Sequence, residues 1–370
     1  MSATALPRWA EIGLIPLVNL TLAFTVSGVV VALIGENPVE AMSVMLKGAF
    51  IYPGGLGYTL YYTTNFIFTG LAVSVAFHAM LFNIGGEGQA SLGGLGAALV
   101  CLALDPFLPG LIVVPLAVLA AAAFGAGWAL IPGYLQAYRG SHVVITTIMF
   151  NFIAAGLMVG LLSGPLMRPG QSSPQTREFA GGTNLAYLHD WARALGFDVA
   201  SSPLNLSFLV ALAAALGVWI LIWRTKFGYA LRAIGQSDPA AVYAGIRVPR
   251  MIVIAMAISG ALAGMMALNE ILGVQHKLIL NWTSGYGFTG IAVALMGRNH
   301  PVGIILASLL FGALFQGGAE LDFEFQTITR EMVLMIQGLI ILFSGALALM
   351  FTPVLGRIFA VLKAGRARDA

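Results

Sequence analysis

Residues 82–100 read FNIGGEGQASLGGLGAALV, and this stretch decides how the chain folds. It opens with a polar, glycine-rich run, residues 83–89, which lies between two strongly apolar segments. Glycine lets the backbone turn sharply or approach another chain closely. Ala90, Gly94 and Ala98 then recur every four residues, a spacing that lets helices pack closely in lipid. The stretch predicts that one helix ends here and that a second, tightly packed helix begins.

Three polar side chains, those of Asn83, Glu87 and Gln89, stand at this join. A break in a membrane helix has to be surrounded by protein or by a water-filled cavity. We therefore expect the join to lie beside a transport path, with these three side chains as candidate path residues. Glu87 has a second interpretation, because a carboxylate in the first turn of the new helix would stabilise the free N–H groups there. The sequence leaves both interpretations open.

The composition is that of a protein that crosses a membrane many times. Of the 370 residues, 59% are hydrophobic and 9% are charged, whereas a soluble domain has about half apolar and about a quarter charged residues. The net charge of +3 is too small to indicate a nucleic-acid partner. With Cys101 as its single cysteine, the chain has neither a disulfide framework nor a cysteine-based metal site.

Hydropathy predicts an all-α polytopic protein with about ten membrane-spanning helices in one integral domain, residues 1–370. The predicted crossings are residues 11–34, 58–81, 89–104, 111–130, 143–163, 204–223, 251–272, 278–296, 301–315 and 332–351. If both termini are cytoplasmic, twelve Lys and Arg residues lie inside and six lie outside. Because loops rich in Lys and Arg stay on the cytoplasmic side, the sequence favours an N-in, C-in orientation.

This topology also predicts the external loops. Residues 35–57 form a short one, and residues 164–203 form the longest polar stretch of the chain. Within the latter, residues 185–195 are predicted to form a helix on the membrane surface, capped by Asn184. Glu270 is expected at the outer interface, because it lies about 20 residues, or about 30 Å, beyond the cytoplasmic start of its helix.

A second glycine-broken segment, residues 278–296, echoes the first. Gly285 and Gly287 interrupt it just where a short apolar helix is predicted to begin. Paired interruptions in corresponding positions are typical of transporters built from two related halves, with the path at the interface between the halves. The aromatic side chains beside these glycines, Tyr286 and Phe288, either stack on a flat base of the solute or pack against neighbouring helices.

The basic loop at residues 224–250 contains the signal of a short helix. Its five Lys and Arg residues, Arg232 among them, place it in the cytoplasm. Asp238 is expected to cap the helix, Pro239 suits its first position, and Gly245 ends it in the left-handed conformation. The residues between are Ala240, Ala241, Val242, Tyr243 and Ala244. So short a helix is unstable alone, so we expect packing to hold it and its exposed side chains to anchor a partner.

Two motifs resemble one family of membrane proteins. They are FNIGGEGQ at residues 82–89, and LRAIGQ at residues 231–236 followed by AAVYAGI at residues 240–246. Both are similar to the permease subunit of bacterial ABC importers for nucleosides and simple sugars, within the branched-chain amino acid permease group. The order of helices is compatible with that family over most of the chain. Pro239 departs from the general ABC-permease loop, which has Glu there, so an acidic contact is not expected at this position.

The resemblance implies a function and a set of partners. The chain would be the larger of two non-identical permeases in a bacterial inner membrane, moving nucleosides or related small polar solutes inward. A cytoplasmic ATPase would use the ATP, so this chain itself would need no cofactor. A periplasmic or lipid-anchored binding protein would deliver the solute to the 164–203 loop. The coupling residues toward the ATPase would be Arg232, Asp238, Pro239, Ala240, Ala241, Tyr243 and Gly245.

Two other classes of function fit the sequence less well. An ion-coupled secondary transporter needs ionisable relay groups deep in its helices, and the sequence offers only Glu87 as a good candidate. A membrane enzyme would need a catalytic motif, and the sequence has no GxxxxGK[ST], HExxH or GxSxG pattern. We therefore expect a transport protein that performs no covalent chemistry.

Overall fold

The computed structural model describes residues 14–325 and 327–346, and every regular element in that part of the chain is helical. The α-helices are α1 (Ile15–Ile34), α2 (Pro38–Phe50), α3 (Gly55–Phe77), α4 (Gly86–Leu104), α5 (Gly110–Arg139), α6 (Val143–Leu162), α7 (Leu188–Ala194), α8 (Ser207–Arg224), α9 (Lys226–Gln236), α10 (Asp238–Tyr243), α11 (Val248–Gly264), α12 (Tyr286–Met296), α13 (Pro301–Glu324) and α14 (Arg330–Ala346). A π-helical segment, Leu268–Gln275, follows α11.

Seven of the described helices are long and apolar enough to cross a membrane, and the pair α1 and α2 would make an eighth. The predicted crossing at residues 278–296 is wrong in its extent, because α12 begins only at Tyr286 and has 11 residues. About 20 residues are needed to cross the hydrocarbon core. The predicted crossing at 332–351 coincides with α14 as far as Ala346, and residues 347–351, like the basic tail beyond them, lie outside the described residues.

The loop predicted at residues 35–57 contains a helix, α2, which corrects the sequence analysis. Gly35 ends α1 in the left-handed conformation, with φ of 99°. Asn37 then caps α2, since its Oδ1 accepts a hydrogen bond from the Val39 N–H at 3.0 Å, and Pro38 occupies the first helical position. The charged residues of this stretch suggested a loop, but the helix has a buried apolar face formed by Ala41, Val44, Met45, Gly48 and Ala49.

The chain divides into two compact units. The described part of the first contains residues 14–51, 314–325 and 327–346, and in it α1 packs against α14. The second contains residues 52–313 and holds both glycine-broken segments. In the second unit α3 is buried along most of its length, and it packs against α12 and α11.

Glycines set how closely α4, α5 and α11 pack in the second unit. A Cβ on Gly93 of α4 would overlap the backbone of Gly264 of α11, and a Cβ on Gly125 of α5 would overlap the carbonyl oxygen of Gly260. Helix backbones in direct contact of this kind are what small residues allow in membrane proteins. Gly127, two residues further along α5 and therefore on nearly the opposite face of the helix, has open space around it.

These two glycines of α5 make a matched pair for a stability test. We expect Gly125→Ala to destabilise the protein by about 1–3 kcal/mol, because the added methyl group forces α5 and α11 apart. We expect Gly127→Ala to be neutral or to stabilise by up to about 1 kcal/mol, because alanine favours the helix and meets no neighbour. Thermal unfolding of the purified protein in detergent measures both changes, and equal melting temperatures for the two variants would contradict the packing described here.

Candidate functional site

The join at residues 83–89 is a true break between two helices. α3 ends at Phe77 and α4 begins at Gly86, close to the predicted boundaries. Just before α4, Asn83 Oδ1 accepts a hydrogen bond from the Gly85 N–H at 2.9 Å. An asparagine side chain that accepts from the backbone two residues further on closes a tight local turn.

The two amides of the join pair with each other. Asn83 Nδ2 donates to Gln89 Oε1 at 3.0 Å, and Gln89 Nε2 donates to Asn83 Oδ1 at 3.1 Å. Asn83 Nδ2 also donates to Ser259 Oγ of α11 at 2.9 Å. Both amides are almost fully buried. They therefore brace the break against α11, and in this conformation neither amide is open to a solute.

Helix α6 supplies the remaining partners of the broken backbone, and the sequence analysis missed them. Asn151 Oδ1 accepts from the Gly88 N–H at 2.9 Å, while Asn151 Nδ2 donates to the Ile84 carbonyl at 3.0 Å. Thr147 Oγ1 accepts from the Ile84 N–H at 3.3 Å. Free backbone groups have to be satisfied within the protein at membrane depth. The available signal was a lone asparagine in an otherwise apolar helix.

Glu87 joins the two glycine-broken segments. Its Oε1 accepts from the Gly285 N–H at 2.8 Å, and its Oε2 accepts from the Gly287 N–H at 2.8 Å. Both N–H groups belong to the start of α12, where a negative charge is stabilised by the helix dipole. A Cβ on Gly287 would overlap the Glu87 backbone, so only glycine allows this approach. Glu87 thus caps a helix, but the helix is α12 rather than the α4 turn in which Glu87 itself lies.

The two aromatic candidates beside this contact have different surroundings. Tyr286 is buried, and its ring meets the rings of Phe66 and Tyr62 of α3 edge-on, with centroids 5.6 and 6.4 Å apart. Phe288 is 47% exposed. The structure therefore brings Tyr286 into the packed region around α3 and does not bring Phe288 there.

A second carboxylate, that of Glu270, is buried in the same unit. Glu270, expected at the outer interface, is only 3% exposed and sits in the π-helical segment. Its Oε1 accepts from Tyr61 OH at 2.5 Å and from Asn65 Nδ2 at 2.6 Å. Both donors lie on α3, so Glu270 ties the end of the α11 span to α3. Counting residues at a uniform helical rise could not reveal that this glutamate faces the protein.

The neighbouring residue extends these bonds to α8. Asn269 Nδ2 donates to Asn65 Oδ1 at 2.9 Å, and Asn269 Oδ1 accepts from Asn205 Nδ2 at 2.9 Å and from Ser207 Oγ at 3.0 Å. All of these side chains are buried. A fully hydrogen-bonded polar cluster of this kind makes an interior rigid. It fixes the π-helical segment from which the chain continues to the second broken helix.

The 164–203 loop is hydrogen-bonded to that continuation. The Thr176 N–H donates to the Leu278 carbonyl at 3.0 Å, and the Phe179 N–H donates to the His276 carbonyl at 2.8 Å. The Leu185 N–H likewise donates to the Leu272 carbonyl at 3.1 Å. The loop thus runs beside the segment that connects α11 to α12.

An ion pair fixes the same loop to the end of α4. Arg177 binds Asp105 through two hydrogen bonds, Nη2 to Oδ1 at 2.5 Å and Nη1 to Oδ2 at 2.9 Å. The Arg177 guanidinium holds the pKa of the Asp105 carboxyl below its usual range. Because that pKa is lowered on folding, the pair stabilises the protein fully above about pH 4, the ordinary value of an aspartate, and less as the pH falls below it.

The surface helix predicted at residues 185–195 is shorter than expected. α7 contains only Leu188–Ala194, and Tyr187 precedes it, so Asn184 does not cap it. The reason is that Leu185 is buried and its backbone is already bonded to residue 272. Trp191 of α7 is half exposed, as a surface helix requires.

The candidates in the 224–250 loop form two short helices, as the sequence indicated for the second of them. α10 is capped by Ser237, whose Oγ accepts from the Ala240 N–H at 3.4 Å, and not by Asp238. Asp238 and Pro239 are the first two residues of the helix instead. Gly245 adopts a φ of 80°, the left-handed conformation predicted for it.

The faces of α9 and α10 differ. Ala241 of α10 is buried, while Tyr243 is 96% exposed. On α9, Arg232 Nε donates to the Gly228 carbonyl at 3.4 Å. A Cβ on Gly235, near the end of α9, would overlap the carbonyl oxygen of His78 just beyond α3. α9 therefore rests on the chain that leads from α3 into the 83–89 join, and α10 presents a tyrosine outward.

Comparisons with known proteins agree with this architecture. The family model for the permease component of the branched-chain amino acid transport system matches residues 55–345. The guanosine ABC transporter permease protein NupP of Bacillus subtilis is 35% identical over 89% of this chain and 92% of its own length. The glucose ABC transporter permease protein TsgB13 of Haloferax volcanii is 33% identical over 91% of this chain and 88% of its own.

A second guanosine ABC transporter permease protein of Bacillus subtilis, NupQ, is 29% identical over 69% of this chain and 78% of its own length. The family match spans both glycine-broken segments, the 164–203 loop and the α9–α10 loop. With at least seven described helices able to cross a membrane, the protein therefore belongs to the family of permease components of branched-chain amino acid transport systems, the membrane subunits of ABC transporters, and is not an enzyme.

Proposed function

We propose that the chain is the permease subunit that forms the inward path of an ABC importer for nucleosides or related small polar solutes. The observation that carries the proposal is the meeting of the two glycine-broken segments at Glu87. In repeat-built transporters the solute site lies where interrupted helices meet. The substrate class is taken from relatives that are named for guanosine and for glucose.

The proposed path passes beside the 83–89 join. Asn83 and Gln89 support the wall of the path from behind, because their paired, buried amides fix the break to α11. Glu87 keeps the starts of α4 and α12 together on the path. Tyr286 supports the wall from the side of α3, and the exposed ring of Phe288 is the candidate for contact with a second permease or with lipid.

ATP hydrolysis would reach this path through the 224–250 loop. The proposed coupling residues are Arg232, Asp238, Pro239, Ala240, Ala241, Tyr243 and Gly245. Ala241 is buried and holds α10 in place, so the contact surface is formed by the others. Tyr243 is the anchor, since it is almost fully exposed on a helix that Ser237 and Gly245 delimit. Because the end of α9 packs on residue 78, a movement of this loop would displace the chain that enters the join.

The proposed assembly has three further kinds of chain. A second, non-identical permease completes the pore, which the two separate guanosine permease proteins of Bacillus subtilis support. A cytoplasmic ABC ATPase drives transport, and a periplasmic or lipid-anchored binding protein docks on the 164–203 loop. Within this assembly the chain is one domain of about ten crossings in a bacterial inner membrane, with both termini in the cytoplasm, as its charge distribution favours.

Reconstitution tests the proposal. The chain is produced together with its partner permease, ATPase and binding protein, and the complex is placed in proteoliposomes. We expect ATP-dependent accumulation of radiolabelled guanosine or glucose, and none when ATP or the binding protein is omitted. Accumulation driven by a proton or sodium gradient without ATP would contradict the proposal, as would uptake of leucine alone among guanosine, glucose and leucine.

A further inference from the structure

The chain between the π-helical segment and α12, residues 276–285, has an unusual backbone. His276, Asn281 and Ser284 have positive φ values of 52°, 56° and 47°. Residues other than glycine rarely adopt this left-handed backbone conformation. Strained backbone of this kind is concentrated at ligand clamps and switch regions. We call residues 276–285 the connecting segment.

Both ends of the connecting segment are held by other parts of the second unit. At its start, the His276 carbonyl accepts from Phe179 of the external loop at 2.8 Å. At its end, the Gly285 N–H donates to Glu87 Oε1 at 2.8 Å. The connecting segment therefore bridges the loop proposed to receive the solute and the contact between the two broken helices.

Trp282 lies in the middle of this segment and reaches α4. It is 4% exposed, and its ring lies against Gly94: a Cβ there would be 2.5 Å from Cζ2 and 2.9 Å from Nε1. Gly94 is two turns beyond Glu87 on the same helix. The indole ring therefore lies against α4, the helix that begins at the 83–89 join.

The indole N–H of Trp282 has no hydrogen-bond partner among the residues that the structure describes. A buried donor without an acceptor is costly, and native proteins keep few of them without a reason. The chain satisfies a similar group elsewhere, since Trp128 Nε1 of α5 donates to the Phe150 carbonyl at 3.2 Å. Trp282 thus combines a flat apolar face with an N–H donor that has no acceptor, and it lies beside the proposed path, against α4.

We propose that Trp282 contacts the solute during transport and that its Nε1–H donates to an acceptor atom of that solute. The inference rests on the proposed function. Nucleosides and sugars carry ring and hydroxyl oxygens, and nucleosides also carry base nitrogens and carbonyls, as acceptors. An indole suits such solutes because it offers contact area and one directional donor. The buried ring requires the connecting segment to move before the contact forms, and its strained backbone favours such a movement.

The test pairs one protein group with one solute atom. Uptake by the reconstituted complex is measured for guanosine and for analogues that each lack a single acceptor atom of the base or ribose. We expect the wild type to prefer guanosine over one of these analogues by about three- to tenfold, the effect of one neutral hydrogen bond. In Trp282→Phe, which keeps the ring but removes the donor, the preference over that same analogue should disappear. Trp282→His, which restores an N–H, should recover part of it.

A merely structural role would lower uptake of every solute in the same proportion and leave the preferences unchanged. Trp128→Phe is the matched control, because it also deletes an indole N–H, and it should preserve the wild-type preferences. If the wild type transports guanosine and Trp282→Phe keeps each of its preferences for guanosine over the analogues, the inference is wrong while the proposed function stands. If the wild-type complex transports neither guanosine nor glucose, both fail.

Discussion

Glu87→Ala should strongly lower the melting temperature of the protein and with it the rate of transport. Two N–H groups at the start of α12 would lose a charged acceptor, and a hydrogen bond to a charged group contributes about 1.5–3 kcal/mol. Losing both amounts to about 3–6 kcal/mol, a large part of the roughly 5–15 kcal/mol that stabilises a typical protein. Melting temperature in detergent and ATP-driven uptake in proteoliposomes measure the loss.

Glu87→Gln separates the two bonds. A carboxamide has one acceptor oxygen, so it keeps one of the N–H partners, and we expect a melting temperature between those of Glu87→Ala and the wild type. Glu40→Ala removes an exposed carboxylate from the first turn of α2 and should change the stability by no more than about 0.5 kcal/mol. If Glu87→Ala melts and transports like the wild type, the contact between the broken helices has no role in transport.

Tyr243→Ala should abolish ATP-driven uptake while leaving the melting temperature of the permease unchanged. The side chain is 96% exposed, so its removal costs the permease itself little. As the anchor in a partner's cleft it would contribute about 2–4 kcal/mol to association, which corresponds to roughly 30- to 1,000-fold weaker binding of the ATPase. Co-purification of the ATPase and uptake by the reconstituted complex measure the two effects.

Tyr229→Ala is the matched control, because Tyr229 is also an exposed tyrosine, 65% accessible, of the same 224–250 loop. It lies on α9 rather than on α10, so we expect a smaller loss of ATPase association. Equal losses for both variants would show that the contact is spread over the loop. Wild-type uptake by Tyr243→Ala would exclude α10 as the coupling element.

Local signals explain what the sequence could predict. The 83–89 join was predicted from its own run of glycines and polar residues, and the left-handed Gly245 from the conformation that glycine favours, so both signals lie in neighbouring residues. α2 carried local signals as well, namely Asn37 and Pro38, but the charges around them favoured a loop. Where the charge composition indicates a loop and the capping residues indicate a helix, the capping residues are the better guide, because they bond directly to the backbone of the first turn.

Contacts between distant residues explain what the sequence could not predict. The partners of Glu87 lie about 200 positions further along the chain, and nothing in the motif around residue 87 indicates which helix it caps. Asn151 satisfies the backbone of a break that belongs to another helix. The burial of Glu270 was not predictable either, because its partners Tyr61 and Asn65 lie more than 200 positions earlier in the chain.

The π-helical segment also limits where the chain can change its length. In a π-helix each N–H bonds to the carbonyl five residues back rather than four, so the segment Leu268–Gln275 contains one residue more than the α-helical pattern needs. Deleting a single residue there would remove the residue that the wider turn accommodates. The bonds of Glu270 to α3 and those of His276 and Leu278 to the 164–203 loop both depend on the present length of the segment, so a shorter segment could not keep both sets. Insertions and deletions should therefore be tolerated at the exposed tip of that loop but not here, even in descendants whose side chains at these positions have changed.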